Sequence, residues 1–253
     1  MNVYARLVYR NLRTNLDRIT VFFELIFPLF FIFIQGYGLG GIIPPFEVGD
    51  VTLSYPLFLA AGAVTLTVIN SGTNAGTQLW YDRKNGMFEQ ILMGPFTRAQ
   101  YILSIILATM ILGLAASSLV FLIALPVLGA SLSLTPLGDA LIVLAIFLGT
   151  MFFGTFAIAI SVALRSSETF QIVSTFAFFV FLFVSTVFYP ANLAPAAIQT
   201  ASYLNPLTYT TDVFRAGLFG ALTPFNLLEL GVLGVEAAAM FLLAVLAFRR
   251  IRV

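Results

Sequence analysis

A carboxylate inside an apolar stretch is the residue of this chain that is best placed to do chemistry. Glu236 lies about nine residues into the last apolar stretch, roughly 13 Å deep at about 1.5 Å per residue. A carboxylate at that depth costs roughly 2.5 to 3.5 kcal/mol on insertion scales, so we expect Glu236 to be paired or protonated. It could serve as a proton relay or have a structural partner. Glu24 lies only about 8 Å into the first stretch, where Arg18 could reach toward it and a structural role is favoured.

A polar stripe recurs at helical spacing in the second apolar stretch. Its members are Thr67, Asn70, Asn74, Thr77 and Gln78. Gly72 and Gly76 permit close backbone approach beside it. Because asparagine in hydrocarbon needs a polar partner, the stripe should face protein or a cavity. Two interpretations stay open: contact between helices, or a path through the membrane lined by Asn70, Asn74 and Gln78.

The fifth apolar stretch is dense in aromatic residues. They are Phe170, Phe176, Phe178, Phe179, Phe181, Phe183, Phe188 and Tyr189. Most such residues pack against protein or face lipid. The functional interpretation is an apolar surface that binds an amphiphilic ligand, with Phe176 and Phe179 as candidate residues. The sequence leaves both interpretations open.

The absence of cysteine and histidine from the sequence excludes several kinds of site. It rules out disulfides, thiolate or imidazole metal ligands, and catalytic constellations built on either residue. We therefore expect no catalytic residue and no metal site in this chain.

Six long apolar stretches carry these residues, each near or above the roughly 20 residues that cross a bilayer as a helix. They run over 19–39, 55–79, 101–129, 137–164, 170–189 and 227–248. With 60% hydrophobic and 9% charged residues and a mean hydropathy of +1.02, the chain has too little polar surface to cover a soluble core. We predict an all-α integral membrane protein with six transmembrane helices in one domain over 1–253.

Positive charge is strongly one-sided across this predicted membrane. Of the twelve Lys and Arg residues, all but Arg215 fall before the first stretch, between the second and third, between the fourth and fifth, or after the sixth. The positive-inside rule makes that side cytoplasmic, with both termini inside the cell membrane. The basic cluster at 249–252 is interpreted as an anchor beside anionic headgroups, and nucleic acid binding is not expected.

Two cytoplasmic segments carry further signals. Within 1–18, Arg6, Arg10 and Arg13 share one helical stripe, which predicts a helix lying along the membrane interface. Alternatively, these arginines only set the orientation of the chain. Within 80–100, a short helix ending at Pro95 has an apolar face and turns Glu89 away from it. The apolar face is formed by Met87, Phe88, Ile91 and Leu92. This helix could dock on a partner or lie on the membrane surface.

The outer segment 190–226 is too apolar for a solvated loop and too rich in proline for another span. Asn205 is expected to cap a helix that begins at Pro206 and stops at Gly220. Asp212 and Arg215 would then form an i, i+3 pair. We predict short re-entrant helices that dip partway into the outer leaflet.

Three segments along the chain carry a family resemblance. They are the basic interfacial N-terminus, the loop Asp82-Arg83-Lys84-x-Gly86-x-x-Glu89-x-x-Leu92-x-x-Pro95, and the outer pattern Pro190…Pro195…Asn205-Pro206-Leu207-Thr208-Tyr209…Asp212-x-x-Arg215. The whole chain resembles the membrane subunit of ABC transporters of the type 2 exporter family. The opening Tyr55-Pro-Leu-Phe-Leu-Ala-Ala-Gly62 is similar to the branch of daunorubicin and nodulation-factor exporters.

The resemblance implies a dimer of six-span subunits with the pathway at their interface and separate ATPase subunits beneath. It implies that the N-terminal helix and the following loop residues receive the ATPase: Arg83, Lys84, Gly86, Phe88, Glu89, Ile91, Leu92 and Pro95. It implies that the second and fifth spans flank the pathway. It further implies an outer gate that contains Pro190, Asn205, Pro206, Tyr209, Asp212 and Arg215.

The sequence fits this division of labour. Its only lysine, Lys84, lacks the upstream glycines of a Walker A phosphate cradle, so ATP and Mg²⁺ are expected to bind to the partner ATPase. We expect a permease subunit, paired with itself or with a homologous permease in membrane lipid, that exports a hydrophobic or amphiphilic substrate such as a drug, lipid or glycolipid. The alternative is a proton-coupled secondary transporter that uses Glu236. An intramembrane enzyme is disfavoured.

Overall fold

The structure, a computed structural model, describes residues 3–48, 51–128, 132–164 and 166–249, which are almost entirely helical. The N-terminal half contains α1 (Val3–Asn15), α2 (Arg18–Phe30), a π-helical segment (Phe31–Gly36), α3 (Tyr37–Gly40), β1 (Phe46–Val48), β2 (Val51–Leu53), α4 (Tyr55–Val64), α5 (Leu66–Lys84), α6 (Met87–Leu92) and α7 (Arg98–Leu128). The C-terminal half contains α8 (Pro136–Ala163), α9 (Ser167–Phe183), a 3₁₀ turn (Ala191–Leu193), α10 (Ala196–Ser202), α11 (Pro206–Phe219) and α12 (Pro224–Arg249).

Five helical stretches among the described residues are long and apolar enough to cross a membrane. They are Arg18–Gly40, Tyr55–Lys84, Arg98–Pro126, Pro136–Ala163 and Pro224–Phe248. The predicted fifth span is the shorter apolar helix α9, which has 17 residues and ends at Phe183, before the predicted 189. Its rise of about 25 Å is at the short limit for a span. The all-helical membrane fold is therefore confirmed, while the count of six spans stays a prediction.

Two of the spans are not continuous α-helices. The first contains Pro28 and widens into the π-helical segment immediately after Phe30. Proline removes one backbone donor and clashes with the preceding turn, and π-helical turns often occur at functional positions. The second span breaks at Thr65, whose hydroxyl donates to the Gly62 carbonyl at 2.6 Å and lies 2.8 Å from the Thr211 hydroxyl of α11.

The closest helix packing in the core is between α5 and α8. A Cβ at Gly72 would lie 2.5 Å from the Cβ of Phe153, and a Cβ at Gly76 would lie 2.5 Å from the carbonyl oxygen of Ala157. No real side chain tolerates such distances without a shift of the backbone. The close approach predicted for these two glycines is confirmed, and it fixes α5 against α8.

The predicted basic segments meet at one end of the helix bundle. Arg83 donates to the carbonyl of Ser161 at the end of α8 at 2.9 Å, and the Phe88 and Phe248 rings lie 5.4 Å apart. We call this the arginine-rich end. Within the described residues, the one-sided placement of the basic segments is therefore confirmed, while Arg165, Arg250 and Arg252 lie outside those residues. The opposite end is called the outer end.

The outer end contains one feature that the sequence did not predict and one that it did. A two-stranded antiparallel hairpin, with Phe46 opposite Leu53, was not predicted, and its Phe46 ring packs 4.9 Å from that of Phe58. The predicted boundaries of α11 are confirmed, because Asn205 caps the helix through the Leu207 N–H and Gly220 ends it with φ 67°. The helix α11 packs along α8 from Gly138 to Gly149, a length of about 17 Å.

Candidate functional site

A cavity of about 490 Å³ lies between α2, α5 and α9. Each helix contributes one face at i, i+3, i+4 spacing, because residues at those positions lie above one another on an α-helix. The lining residues are Ile19, Thr20, Phe23, Glu24, Phe27, Asn70, Thr73, Asn74, Gln171, Ser174, Thr175, Phe178 and Phe179. The volume is within the range of cavities that bind drug-sized molecules. The polar and aromatic sides of one ligand could both be accommodated here.

Polar atoms in this cavity are only partly satisfied by the protein. The Ser71 hydroxyl donates to Oε1 of Glu24, but Glu24 belongs to no ion pair within the described residues. The Oγ of Ser174 is buried without a hydrogen-bond partner, and the amides of Asn70 and Asn74 likewise have none in the described chain. A buried polar group without a partner costs free energy that a ligand can recover.

Arg18 does not reach Glu24 in the structure. Arg18 is exposed at the start of α2, and the two residues are six positions apart. At about 100° per residue, six positions place them about 120° from each other around the helix axis. Glu24 instead faces the cavity.

Aromatic rings continue the cavity wall toward the outer end. Six phenylalanines form a closed ring of contacts, which we call the aromatic cluster: Phe27, Phe31, Phe178, Phe179, Phe183 and Phe188. Phe27 meets Phe178 at 5.5 Å and Phe31 meets Phe188 at 5.0 Å, so the cluster joins the first span to α9 and the segment after it. Such edge and tilted contacts are favourable beyond the area they bury.

Three of the five predicted path residues line the cavity. Asn70, Asn74 and Phe179 do so, whereas Phe176 is 71% exposed and lies outside it. Gln78 is buried and bonded to α1: it donates to Asn11 Oδ1 at 2.8 Å and accepts from Asn15 at 2.7 Å. Gln78 is therefore a contact between helices, and not a cavity residue.

The polar stripe thus divides along its length. Thr67 lies 2.5 Å from the Ser117 hydroxyl of α7, and Gln78 is bonded to α1, so both join helices. Asn70 and Asn74 between them face the cavity. The helix-contact interpretation is confirmed for Thr67 and Gln78, whereas Asn70 and Asn74 line a cavity and their place on a path stays a prediction.

At the arginine-rich end, a buried polar network joins α1 to α5 and α7. Arg10 forms an ion pair with Asp82, with Nη1 to Oδ2 at 2.9 Å, and Tyr101 donates to the same Oδ2 at 2.7 Å. Asn11, fully buried, donates to the Ser104 hydroxyl at 2.9 Å. Burial lowers the pKa of the Arg10 guanidinium, but the hydrogen bond and charge of Asp82 outweigh it, so the net pKa is raised.

This network changes the interpretation of α1. The sequence assigned Arg10 to a stripe with Arg6 and Arg13, yet Arg10 faces protein while the other two are exposed. The buried side of α1 contains Leu7 and Asn11. Sequence reasoning missed Asp82 as a partner because the two residues are 72 positions apart.

The helix α6, which the resemblance implies to receive the ATPase, turns its aromatic residue inward. Phe88 is 1% exposed and packs on Tyr101 and Phe248, so in this arrangement it does not offer its ring to a partner. Glu89 was expected to face away, but its Oε2 is buried without a hydrogen-bond partner. The apolar groups that α6 and the next residue expose are Met87 and Met93, at 39% and 80%.

The other residues that the resemblance implies to receive the ATPase are placed as follows. Gly86 begins α6 with φ 69°, a left-handed conformation that favours glycine. Lys84 lies over the Trp80 ring at 5.1 Å, and Pro95 is exposed. Ile91 is half-buried, and the side chain of Leu92 lies outside the described residues.

At the outer end, Arg215 holds three elements together. It stacks on Phe58 of α4, with its guanidinium carbon 3.6 Å from the ring centroid, and donates to the carbonyls of Phe58 and Thr186. Its predicted i, i+3 pair with Asp212 is confirmed at 3.2 Å. The sequence placed Arg215 outside the membrane as a lone cation, but the side chain is buried and paired.

The other predicted outer residues surround this arginine less directly. Asn205 also donates to the Phe181 carbonyl at 2.7 Å, which ties the start of α11 to α9. The Tyr209 hydroxyl donates to the Tyr203 carbonyl. Pro190 precedes the 3₁₀ turn, and Pro206 is the first residue of α11.

Glu236 lies on α12, away from the cavity. Its Oε2 is buried and has no hydrogen-bond partner among the described residues. The neighbouring Glu229 accepts from Asn226 at 2.9 Å. Glu236 does not line the cavity between α2, α5 and α9, so the structure does not connect a proton site there with the candidate ligand site.

The long apolar helices define a helical membrane protein. The chain belongs to the ABC-2 type transporter family, whose family model matches residues 4–219. It is similar to transport permease ycf38 of Porphyra purpurea, with 25% identity over 172 residues, 68% of this chain and 58% of that protein. It is also similar to Nodulation protein J of Rhizobium meliloti (strain 1021), with 27% identity over 228 residues, 88% of this chain and 83% of that protein. The chain spans less than two thirds of the length of the ycf38 relative.

Proposed function

We propose that this chain is the membrane subunit of an ATP-driven exporter that moves a hydrophobic or amphiphilic substrate out of the cytoplasm. The observation that carries the proposal is the cavity between α2, α5 and α9, which combines unpaired polar atoms with aromatic rings. Family membership supports a transport role. The cavity is the substrate entry site in this proposal, and Asn70, Asn74 and Phe179 are its path residues.

The depth of the cavity supports entry from the arginine-rich end. Glu24 and Gln171 lie six and four residues inside their helices from that end, or about 9 Å and 6 Å. The aromatic cluster extends from the cavity toward the outer end, as far as Phe183 at the end of α9. With the arginine-rich end cytoplasmic, the cavity opens inward and the aromatic cluster closes it on the outer side.

Energy for transport is proposed to come from a separate ATPase subunit, which binds ATP and Mg²⁺. The exposed Met87 and Met93 provide apolar contacts for it beside α1. The network of Arg10, Asp82 and Asn11 ties α1 to α5 and α7, so a push on α1 reaches the helix that carries Asn74. Rigid helices linked by such bonds transmit a displacement without bending.

The assembly proposed for this subunit is a dimer in the cell membrane, with six spans, both termini in the cytoplasm and α9 as the fifth span. The segment 190–226 is the outer gate, with α10 and α11 as re-entrant helices. The burial of Arg215 against α4 and the 184–189 segment supports a gate that moves with the second span. The proton-coupled alternative is not favoured, because Glu236 lies outside the cavity.

Substrate-stimulated ATP hydrolysis tests the proposal. The chain is purified together with its ATPase partner, reconstituted in lipid, and exposed to a panel of amphiphiles. Stimulation is expected for the wild type and should fall several-fold in Asn74→Leu, which removes a cavity amide. Ser118→Leu, an exposed position of α7 outside this cavity, is the control and should keep it. No stimulation by any amphiphile, or equal loss in both variants, would contradict the proposal.

A further inference from the structure

The charge of the cavity limits which substrates it could bind. Glu24 is acidic, none of the thirteen lining residues is basic, and no cation of the described chain pairs with Glu24. A charged carboxylate in a span is costly unless a partner is supplied. When it is ionised, the Glu24 carboxylate therefore needs a cation that the described protein does not provide.

Aromatic faces surround the same carboxylate. Phe23 and Phe27 lie on the face of α2 that carries Glu24, and Phe178 and Phe179 lie across the cavity on α9. Aromatic faces attract cations through the ring quadrupole and also pack against an apolar chain or ring system. Ligands that unite a cation with an apolar body match this wall.

Donors and acceptors for a polar head group line the same cavity as the rings. They are Asn70 and Asn74 of α5 and the unpartnered, buried Ser174 Oγ of α9. An ammonium group donates several hydrogen bonds at once and can therefore satisfy the carboxylate and an amide or hydroxyl oxygen together.

We propose that the cavity binds an amphiphile with a protonated amine head group, held by the Glu24 carboxylate, with its apolar body against the phenylalanines of α2 and α9. This rests on the proposed function, because it names the substrate class of the same site. An anionic amphiphile is excluded by the same carboxylate. Glu24 is then the residue that sets specificity for charge.

Binding of a matched pair of probes tests the proposal. The first is a dansyl-labelled dodecyl amine with a free terminal ammonium group, and the second is its N-acetylated, uncharged form. The full chain with its ATPase partner is placed in nanodiscs of phosphatidylcholine, which has no net charge, and dansyl fluorescence gives each affinity. The charged probe should bind about tenfold more tightly than the acetylated one, as expected for one charge-assisted contact.

Variants assign that preference to one carboxylate. Glu24→Gln should reduce the tenfold ratio to about one, whereas Glu236→Gln, which removes a carboxylate of a span outside the cavity, should leave it unchanged. Equal binding of both probes by the wild type, or a preference that survives Glu24→Gln, would overturn the assignment of Glu24.

Measurement of ATP hydrolysis distinguishes failure of the amine assignment from failure of the proposed function. If both probes stimulate hydrolysis equally, and Asn74→Leu abolishes the stimulation, the cavity is a transport site without charge selection. The proposed function then stands and the amine assignment fails. If neither probe nor any other amphiphile stimulates hydrolysis, both fail.

Discussion

Arg10 of α1 and Asp82 near the end of α5 form an ion pair, 72 positions apart in the chain. Tyr101 at the start of α7 donates to the same carboxylate at 2.7 Å. Three elements at the arginine-rich end therefore share one carboxylate, and any load applied to α1 is carried into the second and third spans.

Removal of this carboxylate should separate α1 from the spans. Asp82→Asn leaves Arg10 without its ionic partner and weakens the three hydrogen bonds that Asp82 accepts, so the free energy of unfolding should fall by about 1–3 kcal/mol. Thermal unfolding of the purified protein measures this, and the exposed Arg13→Gln is the control. The reversed pair Arg10→Asp with Asp82→Arg should recover part of the loss, and a double variant no better than the worse single one would count against a direct ion pair.

The aromatic cluster should limit passage beyond the cavity. Phe188 is 8% exposed and contacts both Phe31 and Phe183, so Phe188→Ala should open a hole in the cluster and raise basal ATP hydrolysis or substrate leakage in the reconstituted complex. The variant should also lose stability, by about 3–5 kcal/mol at most for a buried phenylalanine. Phe176→Ala, an exposed ring outside the cavity, should change neither. Identical leakage in both variants would show that the cluster is not a barrier.

Labelling of single introduced cysteines can show which side of the membrane each end of the bundle faces, because the chain has no cysteine of its own. Met93 and Ile42 are 80% and 77% exposed at opposite ends of the bundle. In intact cells, a membrane-impermeant maleimide should label Ile42→Cys and spare Met93→Cys, while permeabilised cells should allow labelling of both. Labelling of Met93→Cys in intact cells would reverse the proposed orientation.

The cap of α2 should respond to acid. Asp17 accepts from the Ile19 and Thr20 N–H groups at 2.9 and 3.1 Å and from the Thr20 hydroxyl, and these bonds lower the pKa of its carboxyl. A lowered folded-state pKa contributes stability that is present above the ordinary value of 3.8 and is lost as the pH falls through the folded value.

Two substitutions isolate that contribution. Asp17→Ala should lower the melting temperature at neutral pH because it removes the cap, whereas Asp17→Asn keeps a capping oxygen and should lower it less. Below about pH 4, the difference between wild type and Asp17→Asn should shrink. A difference that does not change with pH would show that the charge of Asp17 does not stabilise α2.

Local signals in the sequence were reliable where one segment decides its own structure. Asn205 before Pro206 and the stop at Gly220 predicted the bounds of α11, because caps depend on groups within one turn. Gly72 and Gly76 marked the close packing of α5, although the sequence did not name α8 as the partner. The aromatic density of the fifth stretch concealed a polar face of α9 formed by Gln171, Ser174 and Thr175, whose i, i+3, i+4 spacing was the missed signal.

By itself the sequence determined that this chain is a helical membrane protein with its basic segments on one side. The first follows from composition and the second from the positions of the Lys and Arg residues between the apolar stretches, because charge in hydrocarbon is costly. Only the tertiary structure decided the rotation of each span, and hence that Glu24 and Asn74 face one cavity while Gln78 and Phe88 turn into protein contacts. The physical reason is that a polar residue on a span shows that it avoids lipid but not which neighbour it meets, and packing against the other helices decides that.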